Sequence, residues 1–564
     1  MRQLFQLFSV IFSWSKGLRH SRAMMILVIV TGLLTGVGNT MLIAVINAAL
    51  SDGQFSRTKL IWTFAALCIA IPVNGFISQL LLLQLTSQSA YQLRVQLSRQ
   101  ILAAPLRLLE KLGAHRLIAT INEDIPTVTG TVTTLPQMFT QLAMMTGCLV
   151  YLGLLSWKLL LIMVAYMFLG LLSHQLPMRK AFHHFKSLRE EWDALFKAVR
   201  GLTEGTKELK LNRRRRQAFL SEHLEPAAAG IRRYGVLGNG ISMAVSNWGQ
   251  ILFFIFIGLL LFLTPLLVTV DHHVLTGYIL TVLFMITPLT IILNQLPFLE
   301  RAYVAAKKIK DLGLSLTADP SENSPQVADH VASWRRLDLV GVTQVYRQDG
   351  GEEFQLGPVD LTFRPGELVF LTGGNGSGKT TLAKLLLGLY EPEAGEILLD
   401  GKAVTLENRD DYRQYFSAVF YDFYLFEHLL GLDADDVEAK SQEYLDQFQL
   451  SHKVQIKDGK LSSIDLSQGQ RKRLALLNAY LEDRPIYVFD EWASDQDPMF
   501  RQVFYHHLLP ELKARGKTVI AITHDDRYYD LPDRLIKLER GQIEYDKRLT
   551  AQAGDLKTVS APLA

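Results

Sequence analysis

The residues best equipped for chemistry lie in the second half of the chain. Gly373-Gly374-Asn375-Gly376-Ser377-Gly378-Lys379-Thr380-Thr381 follows the apolar stretch Leu368-Val369-Phe370-Leu371 and precedes a helix-like run, Leu382 to Leu389. A strand, a glycine loop and a helix start in that order make a phosphate-binding loop. Gly373, Gly376 and Gly378 let the backbone curl until several N–H groups face one point, and the helix N-terminus adds partial positive charge there. Lys379 reaches toward the β- and γ-phosphates, and the Thr380 hydroxyl suits Mg²⁺. With Asn375, Ser377 and Thr381 these are the expected ATP contacts. Farther on, the apolar strand Ile486-Tyr487-Val488-Phe489 ends in Asp490-Glu491. Asp490 stands where an acid supporting Mg²⁺ belongs, and Glu491 where a carboxylate polarises the attacking water. The expectation is ATP hydrolysis, with ATP and Mg²⁺ as cofactors and Lys379 and Glu491 at its centre.

Between these two motifs lies Leu466-Ser467-Gln468-Gly469-Gln470, followed by the basic helix start Arg471-Lys472-Arg473. On these residues the chain resembles the ATP-binding cassette family, whose signature reads LSGGQ. The resemblance implies that Ser467 and Gly469 contact the γ-phosphate, with Gln468 in place of a glycine, and that Ser467 to Gln470 complete the nucleotide site of an opposite subunit. It matches His524, which ends the apolar strand Val519 to Thr523, to the family's switch histidine, a third catalytic residue. It matches Asp497 to the acidic end of the D-loop, which crosses the dimer interface. Tyr346 takes the place of the adenine-stacking aromatic; with Phe354 nearby, an ordinary strand aromatic is the alternative. One position departs from the pattern: Tyr421, in Val419-Phe420-Tyr421-Asp422-Phe423, stands where the family has its Q-loop glutamine. Either Asp422 or a water takes that role, or coupling between nucleotide and membrane differs here.

The elements that carry these residues divide the chain unevenly. The expected fold class is multidomain: an all-α transmembrane domain of six helices, then an α/β P-loop cassette. The expected boundaries are residues 1–313 for the membrane domain, 314–330 for a Pro/Ser/Asp linker, 331–550 for the cassette and 551–564 for a polar tail. Six apolar segments approach the roughly 20 residues that span a bilayer: about Met24–Leu50, Leu60–Leu83, Leu135–Leu155, Leu159–Leu176, Ile241–Leu263 and Leu275–Leu299. Residues 1 to about 15 are too short to span; they read as an interfacial helix, or else as a buried core helix. Lys and Arg collect in the long connections 84–134 and 177–240, including Arg213 to Arg216, which places both connections and both termini in the cytoplasm. The arginine run either sets topology or binds an anionic lipid or a partner. Helical periodicity carries the spans past the membrane, with tips near Asn122-Glu123-Asp124 and Glu204-Gly205-Thr206-Lys207 as candidate docking points on the cassette. Asn39, Asn47, Asn74, Gln250, Asn294 and Gln295 interrupt the spans, either bonding helix to helix or meeting cargo.

Over the 564 residues the formal charge is only +3, which argues against nucleic acid as the main partner. Cys68 and Cys148 both sit in apolar runs, which argues against a disulfide or metal role. Gly205 to Asn212, Asp490 to Pro498 and Thr523 to Tyr529 are similar to the cyclic-peptide export subfamily of ABC exporters, a group with pyoverdine-, syringomycin- and microcin-type members. That resemblance implies a half-transporter of the bacterial inner membrane, paired with a second copy, exporting a peptide-type compound by alternating access, with membrane lipid around it and possible periplasmic or outer-membrane efflux partners. A lipid or hydrophobic-drug flippase of the same architecture is the first alternative. A membrane ATPase that transports nothing is the second.

Overall fold

The computed structural model describes residues 19–50, 56–263, 266, 271–312, 333–347, 353–432 and 434–549. The expected interfacial stretch over 1–15, the linker over 314–330 and the tail over 551–564 lie outside the described residues. The chain forms two compact units. One takes the described residues of Met1–Gln96 and Ile118–Asp311, the other those of Leu97–Leu117 and Leu312–Ala564.

The first unit is helical. Its long members are α1 (Arg19–Leu50) and α2 (Arg57–Leu102). The short helix α3 (Leu106–Leu112) follows α2 directly. Then come α4 (Thr131–Leu155), α5 (Trp157–Glu204), α6 (Glu225–Gly258) and α7 (His272–Asp311). Among the described residues five helices are long and apolar enough to cross a membrane: Ile26–Leu50, Arg57–Leu102, Arg116–Leu155, Arg213–Leu263 and His272–Gln295. The fourth expected span, Leu159–Leu176, falls on α5, whose described apolar stretch, Trp157–Gly170, is shorter than that. With 46 and 48 residues, α2 and α5 are each about 70 Å long, more than twice the hydrocarbon thickness of a bilayer. The spans therefore do continue as helices beyond any membrane.

Apolar lipid gives helices no reason to associate, so close packing and hydrogen bonds must hold them. Between α1 and α4 the small residues interlock: a Cβ on Gly32 would lie 2.3 Å from the Thr140 hydroxyl, and one on Gly147 2.6 Å from that of Thr40. Of the polar residues of the spans, Asn47, Asn74 and Gln295 join helices, whereas Asn39 donates to the Thr35 carbonyl of its own helix at 2.9 Å. Asn74 donates to the Thr31 carbonyl (2.6 Å) and the Thr35 hydroxyl (2.8 Å), and Asn47 donates to the Tyr151 hydroxyl (2.9 Å). Gln295 donates to Gln137 at 3.0 Å. Meanwhile Ile61, Trp62, Ile69, Phe76 and Leu83 of α2 stand exposed, as lipid-facing side chains must.

Among its described residues the second unit contains three sheets, the smallest being the antiparallel pair β7 (Ile456–Lys457) and β8 (Lys460–Leu461). An antiparallel sheet runs in the order β2 (Glu353–Phe363), β1 (Leu337–Arg347), β4 (Ala394–Leu399), β5 (Lys402–Ala403). The central sheet runs β12 (Gln542–Arg548), β11 (Arg534–Glu539), β3 (Leu368–Gly373), β10 (Thr518–Ile522), β9 (Ile486–Asp490), β6 (Phe416–Val419), parallel except for β12. Strands covered on both faces read as continuous apolar runs, and period two divides them. Leu368, Phe370, Tyr487, Phe489, Val519 and Ala521 enter one core. Val369, Leu371, Ile486, Val488, Ile520 and Ile522 enter the other. The ends of β3, β9 and β10 thus meet side by side, held between two cores.

Asn122-Glu123-Asp124, expected as a turn, lie instead in a π-helical segment (Thr120–Asp124) within a helical run; they and the break at Gly205 before Lys207 belong to the first unit, with Asp124 3.9 Å from Lys308. Leu97–Leu117, which includes α3, groups with the cassette.

Candidate nucleotide site

At the end of β3 the chain turns through Gly373, Gly376 and Gly378 with φ of 144°, 75° and 100°. Two of these positions require glycine for more than conformation. A Cβ on Gly373 would meet the Leu538 carbonyl at 2.1 Å, and one on Gly378 the Leu356 side chain at 3.0 Å. Gly378 then caps α8 (Lys379–Leu386), so the loop closes on a helix N-terminus. Asn375 and Gly376 are exposed, while Ser377 is buried with its hydroxyl unpartnered.

Lys379 is buried and folds back on this loop, donating to the carbonyls of Gly373 (3.1 Å) and Gly374 (2.9 Å). Burial pulls its ammonium below the ordinary lysine range, against the raising influence of Glu491 and Asp490. Asp490 closes β9 and is 2% exposed. Desolvation pushes its carboxyl up, opposed by a hydrogen bond from Thr380, while the charges of Glu491 and Asp422 push it further up. One of its oxygens is buried without a partner. A buried carboxylate oxygen with a threonine hydroxyl beside it fits a small hard cation.

The next residue, Glu491, leaves the strand in the left-handed region, φ 47° and ψ 35°. Its N–H donates to Ile522 of β10 at 3.1 Å, tying the two strand ends together. His524, two residues past β10, meets the Glu491 carboxylate at 2.8 Å through Nε2. Beside this pair opens a cleft of about 280 Å³, lined also by Ser494, Arg501, Thr523, Asp525 and Arg527. The parallel pairing of β3, β10 and β9 therefore brings Lys379, Asp490, Glu491 and His524 to one edge.

The signature residues are placed on α10, after α9 (Ala434–Gln447). α10 spans Gln468–Glu482, with Ser467 as its N-cap. Ser467 and Gln470 form a capping box, and Ser467 and Gln468 are exposed. Gly469 approaches the loop after β9 so closely that a Cβ would lie 2.9 Å from the Asp495 carbonyl. Asp497 caps α11 (Pro498–Val503) and pairs with Arg473 at 2.5 Å; the Phe500 N–H it accepts holds its carboxyl below the usual range.

Tyr346 lies 6.5 Å from Phe354 and 6.4 Å from Tyr390, ring to ring, with Thr381 3.5 Å from its hydroxyl. One face carries the Arg107 guanidinium at 5.6 Å. Arg107, on α3, also donates to Glu393 and to the Val345 carbonyl, each at 2.7 Å. From the same helix Glu110 accepts from Lys384 at 2.7 Å and from the Tyr390 hydroxyl. Tyr421 is 53% exposed and lies over the ammonium of Lys472.

Sequence reasoning passed over Lys472, Arg473, Arg107 and Glu110. For the first two a signal exists: Leu476, Leu477 and Tyr480, one and two turns on, are buried, which turns Lys472 and Arg473 inward. For α3 there is none, since its contacts depend on where the cassette folds.

The sequence matches two family models, the ABC transporter transmembrane region over residues 22–291 and the ABC transporter over residues 356–494. It is 36% identical over 535 residues to the ATP-binding protein SyrD of Pseudomonas syringae pv. syringae, covering 93% of this chain and 94% of that one. An ATP-dependent lipid A-core flippase of Ralstonia nicotianae is 26% identical, with 86% and 84% covered. The probable syringafactin export ATP-binding/permease protein SyfD of P. syringae pv. syringae is 28% identical over 37% of this chain and 34% of its own. In fold the chain is similar to a bacterial Atm1-family ABC exporter with ATP bound, at a TM-score of 0.68 and 18% identity, covering 94% and 95%.

Proposed function

The chain belongs to the ABC transporter family, as an exporter of the bacterial inner membrane that couples ATP hydrolysis to transport, and from that premise we propose that two copies export a peptide-type amphiphile. The observation that carries the chemistry is the Glu491–His524 contact of 2.8 Å, one residue from the buried Asp490 and on the strand edge that holds Lys379. In this reading Lys379 exchanges its two loop carbonyls for the β- and γ-phosphates. Thr380 and Asp490 hold Mg²⁺, which supplies charge neutralisation on the phosphates when bound. Asp422, or a water beside it, stands in for the missing glutamine amide. Glu491 accepts the proton of the attacking water, and His524 fixes its carboxylate. Ser467 to Gln470 complete the site of the second copy, and Asp497 sits at the junction. Tyr346 receives the adenine.

The division into a membrane domain over 1–313, a linker and a cassette over 331–550 goes with this reading, α3 being the part of the first that serves the second. Closure of the paired cassettes on two ATP molecules reorients the spans. Driving that equilibrium from 1:99 to 99:1 takes about 5.5 kcal/mol of differential binding. A peptide-type cargo is supported by the similarity over 37% of this chain to a probable syringafactin export protein, and by the motifs that resemble those of cyclic-peptide exporters. The flippase relatives favour a lipid-like amphiphile as the second reading.

ATPase activity in lipid vesicles, measured across cyclic lipopeptides, siderophore precursors, drugs and lipids, separates the two. Stimulation confined to one peptide class, with ATP-dependent uptake into inverted vesicles, is the expected result; stimulation by lipids alone overturns the peptide reading. Glu491→Gln should lower turnover by about a hundredfold or more, and undiminished phosphate release would remove Glu491 from its role.

A further inference from the structure

We propose that Lys472 is a positioning residue for Glu491, and that Tyr421, in the place of the Q-loop glutamine, acts on Glu491 through it. The inference rests on Glu491 being the group that activates water. Glu491 holds a left-handed backbone conformation that residues with a side chain adopt reluctantly, so its surroundings must enforce it. Three donors grip its carbonyl: Lys472 Nζ at 3.1 Å, the Ser494 hydroxyl at 2.7 Å and the Ser494 N–H at 3.2 Å.

Lys472 itself is 0% exposed, and an ammonium removed from water needs all three protons satisfied. It finds Glu491 O, the Ser494 hydroxyl at 3.3 Å and the Asp495 carboxylate at 2.7 Å. Every one of these acceptors belongs to the turn that carries Glu491. The Trp492 indole returns a hydrogen bond to the Lys472 carbonyl at 2.9 Å, so turn and helix are stapled from both sides. The remaining side of the ammonium is covered by the Tyr421 ring, 4.7 Å from its centroid. Tyr421 stands on the loop after β6, and half of its surface meets solvent. A shift of that loop therefore uncovers a buried charge, and the charge is bonded to the main chain of Glu491. A tyrosine offers no amide to a metal, but it does offer a face to a cation.

The test is steady-state ATPase of the full-length protein in vesicles, with Lys472→Met, Lys472→Gln, Tyr421→Phe, Tyr421→Ala and the Tyr421→Ala/Lys472→Met double variant. Lys472→Met should lower kcat about tenfold while KM for ATP stays within about twofold, the split expected of a loss felt in the transition state. Lys472→Gln, which keeps a donor, should recover part of the loss. Tyr421→Phe keeps the ring and should match wild type, whereas Tyr421→Ala should lose about threefold in kcat. The double variant should be no slower than Lys472→Met alone, since both changes act along one route. Wild-type kcat in Lys472→Met, equal kcat in Tyr421→Phe and Tyr421→Ala, or additive losses in the double variant each overturn the proposal. Should Lys472→Met fail to fold, the Phe and Ala pair at Tyr421 decides alone. Glu491→Gln run alongside separates the two levels: if it stays active the reading beneath fails, and if it is dead while Lys472→Met is normal only the relay fails.

Discussion

Asp490 is asked to be an anion in a place that disfavours anions. Its carboxyl is raised from the ordinary 3.8 by burial, so the unfolded chain gives up this proton more readily than the folded one. As pH rises through 3.8 the unfolded state ionises first, and the folded state loses relative stability until Asp490 ionises too. The penalty is complete once the pH has passed the raised titration point of the folded state. Asp490→Asn should abolish Mg²⁺-dependent turnover yet raise the apo cassette's thermal midpoint by about 1 to 4 °C, read by calorimetry without nucleotide. A lowered midpoint would mean that the carboxylate has a structural role. This residue was legible in the sequence because two adjacent acids closing an apolar strand are costly to bury unless a cation or a proton answers them. Lys472 was less so: a triple of basic residues after a capping serine looks like a solvated helix start unless Leu476, Leu477 and Tyr480 are followed back one turn to it.

At the scale of elements, the strand edges were readable and the docking helix was not. Runs such as Ile486 to Phe489 and Val519 to Ile522 carry their double-sided burial in composition. The stretches at 122–124 and 204–207 look like docking points for an opposite reason: in sequence they read as the polar ends of long helices, though 122–124 prove to lie inside a helical run. The seven residues of α3 follow α2 after a break at Pro105 and offer an alternation of Leu with Arg107 and Glu110 that no periodicity distinguishes. Arg107 and Glu110 reach Val345, Glu393, Lys384 and Tyr390, all near the phosphate loop in sequence or sheet. Arg107→Ala should tighten ATP binding about threefold by freeing a face of Tyr346. It should also lower the amount transported per ATP. Fluorescent-nucleotide titration paired with vesicle uptake checks both, and unchanged affinity would detach α3 from the nucleotide.

At the scale of the whole molecule, one chain supplies one phosphate loop and one signature, each with its own surface. The Ser467 hydroxyl already caps its own helix, and Ser467 and Gln468 face outward. If each nucleotide site is built from two chains, a chain carrying Lys379→Ala and a chain carrying Ser467→Arg should both be inactive alone. Mixed, they leave one intact site in each hybrid dimer. Random pairing of two chains in a closed twofold assembly makes half of the dimers hybrid, so about a quarter of wild-type ATPase should return. Mixtures no more active than their parents would show that the site is complete within one chain.

An aromatic ring has only two faces, and on Tyr346 one of them is taken by the guanidinium of Arg107. A purine settling on that face would be an eviction: the cation leaves as the base arrives, its bonds to Glu393 and Val345 go with it, and α3 keeps the ties of Glu110 to Lys384 and Tyr390 and the packing of Leu106. Because α3 is joined to the 46-residue α2 by Ala103, Ala104 and Pro105 alone, the end of a membrane helix would register an empty or filled cassette before any phosphate bond breaks.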